Sequence, residues 1–213
     1  MYLPTILLLL LSSLTPLTTS HPTLLIPRQS RTTRNDLQNG SACKPFTLIF
    51  ARGTTETGNL GTVVGPPLIS ALGRVLPGGA NALAVQGVNY PANVAGFAVG
   101  GDRAGSRDMA GLISGVCEES KVILAGYSQG AQLVHNAISQ LPQAAANKIA
   151  AVVMFGDPKN GDALGKGADA KSKTFCNAGD LICRGQAVIL AAHLTYGSDT
   201  GDAARFVAGL AGR

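Results

Sequence analysis

Basic residues are not clustered in this sequence, and the balance of charge is small. Lys and Arg number 17 and Asp and Glu 12, for a formal net charge of +5 over 213 residues. Arg28, Arg31 and Arg34 supply part of that charge before the first predicted strand. A nucleic-acid footprint needs Lys and Arg gathered on one face or element. Because the sequence has no such cluster, a nucleic-acid partner is not expected.

Patterns of metal ligands are also lacking. The sequence has three histidines and four cysteines, without a Cys-x-x-Cys pair and without a histidine beside a pair of cysteines. Structural zinc sites use close spacings of this kind. Neither a metal nor an organic cofactor is predicted.

Residues 1 to 20 do not contain an uninterrupted apolar span of membrane-crossing length, because Pro4 and Pro16 flank the run at residues 6 to 11. The same residues have no charged side chain and end in small polar residues. This outline predicts a secretory signal peptide cleaved after Ser20. Secretion without stable membrane insertion is therefore expected. Residues 21 to 40 are polar and without periodicity, and they are interpreted as a pro-segment or flexible N-terminal arm.

The remaining residues, 41 to 213, contain neither a repeat nor a low-complexity linker, so they are predicted to form one domain. Short apolar runs alternate with helical patterns, which favours an α/β fold with a mainly parallel sheet covered by helices on both faces. The predicted strands are residues 47–50, 83–88, 122–125 and 149–155, and the predicted helices are residues 62–76, 108–115, 131–139 and 202–210.

A Gly-x-Ser-x-Gly motif lies at residues 126 to 130, with Ser128 at its centre. It directly follows a predicted strand and directly precedes a predicted helix, which is the context of a nucleophile elbow. The two glycines allow the strand and the helix to approach each other closely. Ser128 is therefore the candidate nucleophile.

Three histidines are available as the base for Ser128. His21 lies at the predicted cleavage point, and His135 lies roughly 10 Å along the following helix, at ~1.5 Å per residue. His135 is interpreted as a packed or solvated helix residue. His193 remains, and its position late in the chain matches the order serine, acid, histidine of the α/β hydrolases.

The acid should lie between Ser128 and His193 in the sequence. Asp157 follows a predicted strand and could be a turn residue. Asp180 lies between Cys176 and Cys183, where a disulfide would hold its carboxylate for a fixed hydrogen bond to the imidazole. Position favours Asp180, with Asp157 open and Asp162 as a weaker third.

The oxyanion hole should combine the amide after the nucleophile, that of Gln129, with a donor from the loop after an early strand. That loop spans residues 51 to 59, and Thr54 could supply both an amide and a hydroxyl. An ordinary polar turn would have a similar composition.

Four cysteines in a secreted chain indicate two disulfides, for which three pairings are possible. The simplest pairing joins Cys176 to Cys183 and Cys43 to Cys117.

Four sequence blocks in this order resemble the fungal cutinases. They are residues 51–59 (Ala-Arg-Gly-Thr-Thr-Glu-Thr-Gly-Asn), 126–130 (Gly-Tyr-Ser-Gln-Gly), 176–183 (Cys-Asn-Ala-Gly-Asp-Leu-Ile-Cys) and 193–197 (His-Leu-Thr-Tyr-Gly). The resemblance implies a single-domain α/β-hydrolase fold with no lid, secretion by a fungus and cleavage of cutin esters.

The same resemblance implies roles for individual residues. Ser128 would be the nucleophile, Asp180 the acid and His193 the base, so it selects Asp180 over Asp157. It also places Thr54 and Gln129 at the oxyanion hole and implies the two disulfides above. Acetylxylan esterases share the fold and the Gly-Tyr-Ser-Gln-Gly block, and they are the alternative.

Apolar residues flank the candidate base, and Ile189 and Leu194 are predicted to contact an aliphatic acyl chain. Each could equally be a core residue. The sequence thus predicts a monomeric, secreted serine esterase acting on cutin and on short-to-medium acyl esters. A secreted binding or effector protein that keeps the fold without turnover is the alternative of a different class.

Overall fold

The computed structural model describes residues 31 to 212. The predicted signal peptide, residues 1 to 20, lies outside the described residues. Within them, the helices are all too short or too polar to cross a lipid bilayer.

The described chain forms five strands and six α-helices, which alternate as expected. The strands are β1 (Phe46–Ala51), β2 (Leu83–Gly87), β3 (Lys121–Tyr127), β4 (Ile149–Phe155) and β5 (Ser172–Phe175). The helices are α1 (Gly65–Val75), α2 (Val94–Ala98), α3 (Arg103–Ser114), α4 (Gln129–Gln140), α5 (Gln143–Asn147) and α6 (Thr200–Ala211).

Strands β1 to β4 are almost entirely buried because their side chains alternate between two helical layers. In β1, Leu48 and Phe50 pack on the side of α1 and α6, whereas Ile49 and Ala51 pack on the side of α3 and α4. All six residues of β1 are buried. The predicted α/β fold with helices on both faces is confirmed.

All five strands are parallel and lie in the order β2-β1-β3-β4-β5. The direction of winding therefore reverses between β1 and β3. In a doubly wound sheet, the loops after two such strands diverge and leave a crevice at their carboxyl ends. The loop after β1 contains Thr54, and the turn after β3 contains Ser128.

The predicted boundary of the domain at residue 41 is corrected by the packing of the preceding residues. Asn35 forms an antiparallel bridge with Gln86 of β2. The Asp36 amide donates to the Val85 carbonyl at 3.1 Å, and an Asp36 carboxylate oxygen accepts from the Val85 amide at 2.9 Å. Residues 34 to 37 are thus not a flexible arm, since they lie along the outer edge of β2, the edge that does not pair with β1.

Helix boundaries differ from prediction where capping residues set them. Pro66 and Pro67 occupy the first turn of α1, where no intrahelical amide bond is lost, so the helix starts at Gly65 rather than at residue 62. The Asp102 carboxylate accepts from the Gly105 amide at 2.7 Å and starts α3 five residues before the predicted boundary. Strand β5 was not predicted, because this four-residue edge strand is polar and only partly buried.

Both predicted disulfides are present. Cys43–Cys117 joins the segment before β1 to the segment after α3, and Cys176–Cys183 closes the loop that contains Asp180. Among residues 31 to 212, one group of three side chains is close enough to share a metal ion. It consists of Glu119 and the two sulfurs already bonded in Cys43–Cys117.

Candidate active site

Ser128 lies at the sharp turn between β3 and α4, with backbone angles φ 56° and ψ −119°. A positive φ is unfavourable for a residue with a Cβ, and such strain is concentrated at functional sites. The turn aims the side chain out of the sheet's carboxyl edge, where Ser128 lines two clefts. Its position is that of a nucleophile elbow.

The two glycines of the motif are required by close packing. A Cβ on Gly126 would lie 2.4 Å from the Gly130 carbonyl oxygen, and a Cβ on Gly130 would lie 2.0 Å from the Ala51 carbonyl oxygen. Both contacts are with backbone atoms, which cannot move aside as a side chain can. The positive φ is at Ser128 itself, and the glycines allow α4 to begin against β3 and β1.

Ser128, His193 and Asp180 form a continuous hydrogen-bonded series. Ser128 Oγ lies 3.0 Å from His193 Nε2, and His193 Nδ1 lies 2.8 Å from Asp180 Oδ2. The three residues are 5%, 1% and 0% exposed, so water competes little for these bonds. The structure thus brings together the three residues proposed from the sequence as nucleophile, base and acid.

The Asp180 carboxylate is buried and fully hydrogen-bonded. Burial by itself raises its pKa, but hydrogen bonds from His193, Tyr196 and the Ile182 amide outweigh this effect and lower the pKa below its ordinary value. The carboxylate therefore stays ionised while it orients the imidazole.

The alternative acid, Asp157, contacts a different histidine. Its Oδ2 lies 2.8 Å from His135 Nε2, and its Oδ1 accepts from the Lys159 amide at 2.8 Å. Asp157 is therefore a turn residue after β4 that also forms a buried pair with α4. His135 is the packed helix histidine that its distance from Ser128 predicts.

Thr54 and Gln129, the residues expected at the oxyanion hole, lie next to each other in the structure. Gln129 is the first residue of α4, where the amide has no acceptor within the helix. The Gln129 side chain donates to Thr54 Oγ1 at 2.9 Å and to the Asn93 carbonyl at 2.8 Å. Because Thr54 Oγ1 accepts this bond, its own proton remains available for a substrate oxygen.

The Glu56 carboxylate holds the loop that contains Thr54, a contact that sequence reasoning missed. It accepts from the Gly53 amide at 2.8 Å and from the Thr62 and Val63 amides at 2.8 and 2.9 Å. Glu56 and Arg52 are the charged residues in the Gly- and Thr-rich segment 51 to 59. A charged side chain in a segment otherwise typical of a turn was the feature of the sequence that could have indicated this role of Glu56.

Two clefts meet at Ser128. One has a volume of about 570 Å³ and a largely apolar lining that includes Phe97, Ile182 and Ile189. The other, of about 380 Å³, is lined by Glu56 and Leu194 among others. Ile189 and Leu194 are 61% and 56% exposed, so the interpretation of either as a core residue is wrong.

Two buried tyrosines beside the histidine were also missed. The Tyr127 hydroxyl donates to the His193 carbonyl at 2.8 Å, and the Tyr196 hydroxyl donates to Asp180 Oδ2 at 2.6 Å. Tyr127 is the second residue of the Gly-x-Ser-x-Gly motif, and Tyr196 lies three residues after the histidine. No local pattern indicates these long-range contacts.

Gly156, after β4, leaves the space that the His193 ring occupies. A Cβ there would lie 2.6 Å from His193 Cε1, and the glycine has φ 54°. We expect Gly156→Ala to displace the imidazole and lower kcat by about a hundred-fold, the scale for a misplacement near 1 Å. Steady-state kinetics at a temperature well below Tm, on a soluble ester of the kind that the resemblance implies as substrate, measures this loss.

Gly165→Ala is the matched control for that substitution. Gly165 also has a positive φ, of 72°, but a Cβ there meets no atom within 4 Å. It should show the cost of backbone strain, about 1–2 kcal/mol, with kcat unchanged. Equal kcat values for the two variants would mean that the ring tolerates the added methyl group.

A serine at a strained strand-to-helix turn and a histidine oriented by a buried carboxylate, on a parallel doubly wound sheet, define a serine hydrolase of the α/β-hydrolase class. The cutinase family model matches residues 42–210 of the chain. A cutinase of Botryotinia fuckeliana is 53% identical over 175 residues, which cover 80% of this chain and 85% of that protein. The chain belongs to the cutinase family and is a serine carboxylic ester hydrolase.

Solved structures agree with this assignment. A Trichoderma reesei cutinase in complex with a C11Y4 phosphonate inhibitor superposes with a TM-score of 0.78 and 42% identity, covering 85% of this chain and 81% of that one. An acetylxylan esterase superposes with a TM-score of 0.65 and 23% identity, covering 80% of this chain and 100% of that one. The second similarity shows a shared fold alone.

Proposed function

We propose that this protein is a secreted, monomeric esterase that hydrolyses cutin and short-to-medium acyl esters through Ser128, His193 and Asp180. The observation that carries the proposal is the hydrogen-bonded series of these three side chains, with Ser128 Oγ 3.0 Å from the imidazole at the meeting point of two clefts.

His193 acts first as the base. Its Nε2 accepts the hydroxyl proton while Ser128 Oγ forms a bond to the ester carbonyl carbon, and the electron pair of the C=O π bond moves to the oxygen. The Gln129 amide and Thr54 bind that oxyanion. Asp180 holds the neutral tautomer with Nε2 free, and then stabilises the imidazolium without taking its proton.

The tetrahedral intermediate then releases the alcohol. As the bond from carbon to the ester oxygen breaks, the imidazolium of His193 donates its proton to the departing oxygen. An acyl group remains on Ser128. In the second half of the reaction a water molecule gives a proton to His193 Nε2 while its oxygen forms a bond to the acyl carbon. The bond from that carbon to Ser128 Oγ then breaks, the imidazolium returns its proton to Oγ, and the carboxylic acid and the free serine result.

The linings of the clefts favour aliphatic substrates. Val94 and Ile189 line one cleft, Ile189 and Leu194 line the other, and all three side chains are more than half exposed. Exposed apolar side chains around a cleft favour burial of a hydrocarbon chain at about 25 cal/mol per Å². The names of the relatives, cutinases, agree with a hydrophobic polyester as substrate.

Secretion is supported by two features of the chain. The sequence of residues 1 to 20 has the outline of a signal peptide, and both disulfides require an oxidising compartment to form and persist.

A substrate panel tests this proposal. We expect initial rates on p-nitrophenyl esters, from acetate to palmitate, to be highest for short and medium chains, and purified cutin to release hydroxy fatty acids. Acetylated xylan should release little acetate, because its sugar rings offer no aliphatic chain to the exposed side chains of Val94, Ile189 and Leu194. Gas chromatography and acetate assays measure the products.

Ser128→Ala protein is the control for every substrate in the panel. Release of acetate from xylan without hydrolysis of cutin would instead support an acetylxylan esterase. A folded wild-type protein whose Ser128 forms no adduct with a fluorophosphonate, by mass spectrometry, would support a non-catalytic binding protein.

A further inference from the structure

Tyr196 places one hydroxyl group at the centre of the loop closed by Cys176–Cys183. The residue is 0% exposed and follows His193 by three positions. Its hydroxyl oxygen lies 2.6 Å from Asp180 Oδ2, 3.0 Å from the Asn177 amide nitrogen and 3.6 Å from Cys183 Sγ. A single side chain therefore contacts both ends of the loop and its carboxylate.

The direction of these hydrogen bonds is determined by their chemistry. The Asn177 amide can only donate, so the tyrosine oxygen accepts that bond. The ionised carboxylate can only accept, so the hydroxyl proton points to Asp180 Oδ2. Burial raises the pKa of Tyr196 far above 10, and the hydroxyl stays protonated at any working pH.

The same carboxylate oxygen serves two donors. Asp180 Oδ2 accepts from Tyr196 and from His193 Nδ1, at 2.6 and 2.8 Å, while Oδ1 accepts from the Ile182 amide at 2.9 Å. A hydrogen bond to a carboxylate withdraws part of its negative charge. Tyr196 therefore competes directly with the imidazole for the charge on Oδ2.

We propose that Tyr196 is a positioning residue of this site, which acts through Asp180 by holding the carboxylate in place and by moderating the negative charge that it presents to His193. This inference rests on the proposed function, because it assigns to Asp180 and His193 the roles given above.

Other polar and charged groups lie near Asp180 and His193, and the test of Tyr196 must leave them unchanged. The Tyr127 hydroxyl bonds to the His193 carbonyl, and the Tyr127 ring lies 5.2 Å from the imidazole. Glu56 and Asp180 act electrostatically on Tyr127, and Asp199 and Asp180 act on Tyr196. Tyr127 touches the histidine without touching the carboxylate, so Tyr127→Phe is the matched control.

The decisive measurement is the pH profile of kcat/KM for Tyr196→Phe. Without the tyrosine proton, Oδ2 carries more negative charge and stabilises the charged imidazolium of His193 relative to the neutral ring. The base is then neutral only at higher pH, so the acid limb should move up by about half a pH unit. The plateau of kcat/KM should fall about ten-fold, mainly in kcat.

Tyr127→Phe loses a hydrogen bond of similar burial, but one that ends on a backbone carbonyl. Its plateau should fall as well, with the acid limb at the wild-type pH. A Tyr196→Phe profile that keeps the wild-type acid limb would overturn the proposal, whether or not the plateau falls, because a purely structural role predicts that result.

A double-mutant cycle tests whether Tyr196 acts through Asp180. Combined with Asp180→Asn, the Tyr196→Phe substitution should add less than two-fold to the loss of kcat/KM, since the charge that it moderates is gone. A full further ten-fold loss would contradict the proposed route.

Titration of the His193 Hε1 resonance by NMR separates this inference from the proposed function. If wild-type protein hydrolyses no ester, the proposed function fails, yet the pH dependence of this resonance can still be compared between wild type and Tyr196→Phe. If wild-type protein is active and depends on Ser128, an unmoved resonance titration refutes only the role of Tyr196. Thermal melting checks that each variant is folded.

Discussion

Replacement of Ser128 or of His193 by alanine is expected to lower kcat about a million-fold in each case, and the double variant should lose little more than either single one. The reason is that the serine attacks only as its proton moves to the imidazole 3.0 Å away, so either residue alone is ineffective. Single-turnover kinetics on a p-nitrophenyl ester, with thermal melts as a check of folding, measures both losses.

His135→Ala is the control for the histidine substitution. His135 is also buried, 6% exposed, and is also bonded to a carboxylate, but it contacts Asp157 rather than Ser128. It should reduce Tm and leave kcat within a few-fold of wild type. Losses in Ser128→Ala and His193→Ala that multiply in the double variant would mean that the two residues do not act as one unit.

Asp180→Asn should produce the second largest effect, a fall in kcat of about 10⁴-fold, because an amide cannot enforce the required imidazole tautomer or stabilise its charged form. The chain has a matched comparison, since Asp157 pairs with a histidine at the same distance of 2.8 Å. Asp157→Asn should change kcat only slightly. Kinetics on the two variants under identical conditions measures the difference.

Asp157→Asn is expected to lower the free energy of unfolding although it changes kcat only slightly. Asp157→Asn weakens a buried pair between the end of β4 and α4, and a loss of unfolding free energy of about 1–3 kcal/mol is expected from a buried polar group that loses its partner. A large kcat loss in Asp157→Asn with a normal rate in Asp180→Asn would reverse the assignment of the acid.

The nucleophile and the sheet could be predicted because their signals are local. Gly126, Ser128 and Gly130 are within five residues, and the apolar run before them and the helical pattern after them are continuous with the motif. Strand β4 was predicted with its observed bounds, Ile149–Phe155, because a run of seven apolar residues is typical of a buried strand, and in the structure all of them except Ala150 are buried.

The position of each aspartate along the chain favoured Asp180 as the acid but did not exclude Asp157. Asp157 and Asp180 both lie between Ser128 and His193, and each has a histidine within hydrogen-bonding distance in the folded protein. The resemblance of four sequence blocks selected Asp180, whereas the residues alone left both open. The local feature that favoured Asp180 was the loop closed by Cys176–Cys183, because the disulfide restricts the orientation of the carboxylate.

The contacts that support the site were not predictable, because each joins residues far apart in sequence through a single polar atom. The Tyr196 hydroxyl reaches back 16 positions to Asp180, and the Tyr127 hydroxyl reaches forward 66 positions to His193. The requirement for glycine at position 156 is visible only in the structure, where the imidazole of His193 packs against it. The same holds for residues 34 to 36, whose polar side chains carry no periodic signal yet lie along the edge of β2.

The sequence by itself determined the fold class, the nucleophile, the candidate base and the four cysteines that pair, since these depend on hydrophobic periodicity, short motifs and residue counts. Only the tertiary structure decided which histidine each aspartate meets, that Ile189 and Leu194 are exposed beside Ser128, and that two buried tyrosines hold the base and the acid. The physical reason is that a hydrogen bond between distant residues depends on the winding of the sheet. Because all five strands are parallel, the carboxyl ends of β1 and β3 and the loops after β4 and β5 lie at one edge of the sheet, and the reversal of winding between β1 and β3 opens the crevice there.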